Sequence, residues 1–153
     1  MPVPEHLLSF WRGFAGAIDE RFYKAFAFGD SEQLANELAA LVLIGTKRAT
    51  AAAAWTFEAQ GRHGPQPGDL SIVTNWAGEP LCIIETRAMA VVPFKDVTAA
   101  FAAAEGEGEG DGSLAFWCEA HRAYFARECE RAGRVFSEAM PIACEHFEVV
   151  HRP

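Results

Sequence analysis

Leu70-Ser71-Ile72-Val73-Thr74, then Asn75-Trp76-Ala77-Gly78-Glu79, then Pro80-Leu81-Cys82-Ile83-Ile84-Glu85-Thr86 reads as a β-hairpin. Two apolar, β-branched runs of strand length flank a turn in which Gly78 can take a positive φ. Just upstream, Gly61-Arg62-His63-Gly64-Pro65-Gln66-Pro67-Gly68-Asp69 is dense in turn formers. Downstream, Ala88 to Val92 suits a further strand ended by Pro93. Near the C-terminus, Ile142 to Val150 sets Cys144, His146 and Glu148 against Glu145, Phe147 and Val149, the period of two expected of a strand.

The rest of the chain is mostly helical in pattern. Pro4 can open a first helix, with Leu7, Leu8, Trp11, Phe14, Ala15 and Ile18 as one apolar stripe. An aromatic link, Phe22 to Phe28, leads to a second helix, where Asp30 can cap and Gln33 can reach back. Leu34, Leu38, Leu41 and Val42 form its buried face, and Gly45 stops it. Ala51 to Ala54 suits a short extended piece, followed by a helical turn ending near Gly61. Thr98 to Ala104 makes a short helix, and Ser113 caps the longest one, which carries Leu114, Trp117, Cys118, His121, Tyr124, Phe125 and Cys129 to Gly133. Between them, Glu105 to Gly112 alternates acid and glycine and cannot hold a helix, since each glycine costs about 1 kcal/mol relative to alanine. Strands and helices do not alternate regularly, so the fold class is α+β with a mainly antiparallel sheet or small mixed barrel surrounded by helices.

At 153 residues, half of them apolar, the chain can build one core without a staple. The four cysteines form no C-x-x-C pair and sit among apolar residues, so buried free thiols are expected, with no metal and no cofactor. No apolar run approaches the roughly 20 residues of a membrane span, and no basic stretch precedes an apolar segment at the N-terminus, so a cytoplasmic protein with no membrane partner is expected. The net charge of −8, with six acids and no Lys or Arg from Asp96 to Glu119, excludes a protein that coats nucleic acid by charge alone. Any RNA contact must be local, and a small ligand suits the charge equally well.

The order of motifs resembles the ASCH domain family. Phe28-Gly29-Asp30-Ser31, a helix, Gly45-x-Lys47-x-Ala49-Thr50, Pro67-Gly68-Asp69-Leu70, Pro80 to Thr86, the acidic glycine run before Ser113-Leu114, and Cys144-Glu145-x-Phe147-x-Val149-Val150 carry the likeness. The resemblance implies a PUA-like fold over residues 28–153, with residues 1–27 as an N-terminal helical extension packed on it. It implies handling of RNA, a nucleotide or a modified nucleoside. Some members resemble RNA-binding modules; one small bacterial group removes the acetyl group of 4-acetylcytidine with a Lys, a Thr and a Glu; another member is associated with RNA cleavage. In Gly45-Thr46-Lys47-Arg48-Ala49-Thr50 the lysine and threonine fall on Lys47 and Thr50, and the acidic run offers Glu105 and Glu107 for the glutamate. Where the wider signature continues into a Glu and an Arg, this chain has Ala51-Ala52-Ala53.

Each candidate also has a plain reading. Lys47, past a helix end, is a cation stabilised by the macrodipole by about 0.3–1 kcal/mol, or a cleft lysine that holds a phosphate or carbonyl oxygen or acts as a base. Thr50 is a strand residue, or a nucleophile if Lys47 takes its proton. Glu105, Glu107 and Glu109 are a solvated acidic loop, or one of them orients Lys47. Trp55 is the preferred stacking platform for a base, with Arg48 and Arg62 lining the same mouth, while Trp117, His121 and His146 read as structural. Three functions follow: a binding module for RNA, a nucleotide or a modified nucleoside at Lys47; a hydrolase, acting on an acylated nucleoside or on RNA through Lys47, Thr50 and a loop Glu; or a protein-interaction domain.

Overall fold

The computed structural model describes residues 2–106 and 113–153. The expected hairpin is present as β3 (Leu70–Thr74) and β4 (Pro80–Pro93), paired antiparallel with Ile72 opposite Ile83. β4 absorbs the separate strand expected at Ala88: irregularities at Ile83/Ile84 and at Thr86/Ala88 bend it without ending it. Its length lets it pair with β3 on one side and, along Ile83 to Pro93, with β5 (Pro141–His151) on the other. β2 (Ala49–Ala53) adds antiparallel to β5, with Thr50 opposite Glu145. The run Phe22–Phe26, expected to be a link, is instead strand β1, parallel to β3.

The strand order is β1-β3-β4-β5-β2. Among the described residues β1 and β2 do not pair with each other, so of the two forms expected, a mainly antiparallel sheet or a small mixed barrel, the mostly antiparallel sheet is present and it is open. Twist of about 20–25° per strand pair curls such a sheet, and both edge strands end up lining one cavity.

Helices cover the sheet. α1 (Leu8–Arg12) stops at Gly13, shorter than its apolar stripe suggests, and buries Trp11 with Leu7 and Phe22 against Leu70, Ile72 and Ile83. α2 (Glu32–Leu43) is capped by Ser31, whose hydroxyl accepts from Leu34 N–H; the expected cap, Asp30, instead pairs with Arg127 and Arg131. α2 packs Leu38, Ala39 and Val42 on Val73, Cys82, Ile84 and Phe147. After the single turn of α3 (Trp55–Ala59), α4 (Ala99–Glu105) and α5 (Leu114–Arg131) bury Phe101, Trp117, Phe125 and Cys129 against β2 and β5. All four cysteines are free thiols. No helix among the described residues is long and apolar enough to cross a membrane.

Candidate functional site

The end of α2 places Lys47. Gly45 takes φ +84°, and the N–H groups of Thr46 and Lys47 both bond Leu41 O, at 3.0 and 3.1 Å, which reverses the chain. The turn drives the Lys47 side chain inward, so the residue is only 1% exposed rather than lying at a cleft surface as expected. Its Nζ donates to Ala49 O at 2.8 Å, lies 3.4 Å from Glu105 Oε1 and sits 5.4 Å from the Phe28 ring.

Glu105 is the last residue of α4 and is equally buried. Two contacts lock it to the lysine turn. Arg48 N–H donates to Ala104 O at 2.8 Å, and Gly106, at φ +59°, comes so close to the Thr46 carbonyl that any Cβ there collides with it. Trp117 Nε1 donates to Glu105 Oε2, and His121 Nε2 lies 2.8 Å from the same oxygen. His121 stacks on Trp117, rings 4.1 Å apart, with Nδ1 3.0 Å from Trp117 O. One buried carboxylate thus gathers an ammonium, an indole and an imidazole, so Trp117 and His121, expected to be plain core residues, hold a polar group together.

The cavity at the seam of the sheet has a volume of about 720 Å³. Thr50, Glu105 and His121 line it, and Lys47 stands behind Glu105 rather than in the wall. Register explains why β2 matters here. Phe147 N–H donates to Arg48 O and Ala54 N–H to Pro141 O, so even-numbered residues of β2 bond to β5 and Ala51 turns its N–H and C=O to the open edge. Arg62 also lines the cavity; its guanidinium lies 3.9 Å over the Tyr23 ring and donates to Tyr23 O at 2.6 Å.

Other expected site residues fall elsewhere. Arg48 is exposed and outside the lining. Trp55 packs against the α4–α5 core under Arg134, 4.3 Å from its ring, and is not a stacking platform in the cavity; its Nε1 is buried with no partner among the described residues. Glu107 and Glu109 lie outside the described residues.

Two charged residues that the sequence did not single out, Lys24 and Glu145, line the same cavity. Burial pulls the Lys24 ammonium below the usual lysine range, opposed by the nearby Glu145 charge. Burial also pushes the Glu145 carboxyl above the usual carboxylate range, opposed by the Thr86 hydroxyl, which donates to Oε2 at 2.6 Å, and by Lys24. The signal that could have found them is a charge on an apolar face: Lys24 between Phe22 and Phe26, and Glu145 between Ala143 and Phe147.

The family model of the ASCH domain matches residues 24–151. The chain belongs to the ASCH domain family. An ASCH domain from Lactobacillus crispatus JV V101 is similar, at 40% identity and a TM-score of 0.82, covering 95% of this chain and 92% of that one. Protein EF3133 of Enterococcus faecalis V583 is 30% identical with a TM-score of 0.77, covering 85% of this chain and 77% of that one. The hypothetical protein PH0355, 15% identical with a TM-score of 0.53, covers 84% of this chain and 99% of that one and shares the fold alone. No curated protein matches the chain.

Proposed function

We propose that this ASCH domain binds RNA, a nucleotide or a modified nucleoside by taking a base into the cavity between β1 and β2. The observation that carries this reading is the cavity itself: about 720 Å³, with Phe26, Phe28 and Phe57 for a ring to rest on and a few convergent polar groups. With a net charge of −8, the polar interior rather than a basic surface supplies the affinity, and the salt dependence is that of about two to three phosphate contacts.

A second reading, hydrolysis of an acylated nucleoside or of RNA, is favoured by one arrangement. Thr50 and Glu105 share the cavity wall, and Lys47 stands 3.4 Å from Glu105. In that reading the Thr50 hydroxyl attacks the acyl carbon or the phosphorus, the Lys47–Glu105 pair takes its proton and returns it to the leaving amine or hydroxyl as that bond breaks, and water then releases the group held on Thr50. A thermal-shift screen with nucleosides, N-acyl nucleosides, nucleotides and short RNAs tests both. A ligand at 100 times its Kd adds about 2.7 kcal/mol, roughly 5–11 °C at this chain length. Thr50→Ala abolishes release of the acyl group or cleavage if the second reading holds and leaves binding nearly unchanged if the first does. No stabilisation by any base-bearing compound refutes both.

A further inference from the structure

The Lys47–Glu105 group accounts for only part of the cavity's polar wall. Lys24 and Glu145 come from strands three positions apart in the sheet order, β1 and β5, yet the curl of the sheet brings both to the same cavity and within reach of each other's charge. They do not form a direct ion pair. The Lys24 Nζ lies 4.5 Å from the Phe26 ring and 5.9 Å from the Tyr23 ring and bonds no described residue. Glu145, 6% exposed, uses Oε2 to accept from Thr86, while Oε1 has no partner among the described residues.

A lysine and a glutamate placed only to stabilise the fold close to contact, because burial penalises each charge that is left without a partner. These two stop short of contact, and both line one cavity. An anion there meets Glu145, and a cation meets Lys24. A neutral group offering a donor beside an acceptor satisfies both.

We propose that Lys24 and Glu145 together read the hydrogen-bonding edge of a planar nitrogen heterocycle, Glu145 accepting from a ring N–H or exocyclic amine and Lys24 donating to the adjacent ring nitrogen or carbonyl. This rests on the reading that the cavity takes a base, and adds which residues select it. Thr86 serves as a positioning residue: its hydroxyl occupies Oε2 and turns Oε1 to the ligand.

The test is calorimetric binding of adenosine, cytidine, guanosine and uridine beside counterparts methylated at the donor edge: N6,N6-dimethyladenosine, N4,N4-dimethylcytidine, N1-methylguanosine and N3-methyluridine. The wild-type protein should bind at least one parent nucleoside and lose about tenfold or more in affinity on methylation of that nucleoside, the scale of a charge-assisted hydrogen bond. Glu145→Gln and Lys24→Met should each weaken the parent by a similar factor and remove most of the methylation penalty. Arg48→Ala, exposed and outside the cavity wall, should change neither. Both cavity variants should melt at or above the wild-type temperature, because each removes a charge that burial disfavours. Equal binding of parent and methylated nucleosides, unchanged affinity in the two variants, or a fall of several degrees in their Tm overturns the assignment and leaves the base-binding reading standing. Failure of the wild type to bind any of the eight compounds overturns the assignment, while the base-binding reading falls only if nucleotides, N-acyl nucleosides and short RNAs also fail to bind.

Discussion

Replacing Glu105 by alanine is the sharpest test of how the cavity wall is held. The carboxylate accepts from Trp117 Nε1, lies 2.8 Å from His121 Nε2 and stands 3.4 Å from the Lys47 ammonium, whose side chain is 0% exposed. Removing one partner of a buried ion pair costs about 3–5 kcal/mol, because the remaining charge keeps its desolvation penalty. At this chain length each kcal/mol moves Tm by about 2–4 °C, so Glu105→Ala should melt roughly 6–20 °C below the parent by circular dichroism. Lys47→Ala should fall in the same range, although a lysine at a cleft surface, as the sequence suggested, would cost little. The double change Lys47→Ala with Glu105→Ala should cost clearly less than the two single alanine variants added together, since no buried charge of the pair is then left facing a neutral partner. Two results refute the reasoning: a Glu105→Ala Tm within about 2 °C of the parent, or strict additivity in the double variant.

Two further predictions rest on burial and charge at other sites. Burial pushes the Cys82 thiol up to about 11 and the Cys144 thiol up to about 12, so a thiol-disulfide reagent at pH 8 should titrate at most one thiol quickly in the native protein, the half-buried Cys118, and all four after denaturation. Arg127 and Arg131 hold the Asp30 carboxyl below the usual carboxylate range; the stability this contributes is complete above the unfolded-state pKa and is lost as pH falls through the lower folded-state value, so Asp30→Asn should be less stable than the parent at pH 7 and converge with it in acid.

Much of the architecture was legible because each element carries its own local signal. The hairpin 70–86 has alternation and a turn glycine, α5 has Ser113 at one end and Gly133 at the other, and the apolar strand residues Ile72, Val73, Ile83, Ile84 and Phe147 are buried. What failed were features decided by neighbours distant in sequence. Phe22–Phe26 looks like an aromatic link and becomes a strand only because β3 offers it a free edge. Trp55 looks like a platform beside Lys47, yet the strand-to-helix turn at Ala54 carries it to the α4–α5 side, under Arg134. Asp30 looks like a cap and is drawn off by two arginines about a hundred residues later.

The seam was invisible for the same reason, and it decides the site. Whether a five-stranded sheet closes depends on stagger and twist summed over every strand pair, which no single strand's sequence states. Had β1 and β2 paired, Ala51 would have spent its backbone groups on β1 and the cavity would be a core. Left open, the two edges keep a space that both line, with Thr50 and Glu105 in its wall and Lys47 behind them. The same curl draws Lys24 and Glu145 to that space from two strands separated in the sheet by β3 and β4. The Lys47 motif was therefore readable as a local feature, whereas Lys24 and Glu145 each carry only the sign of a charge on an apolar face, and that the two share one cavity follows from the sheet's path.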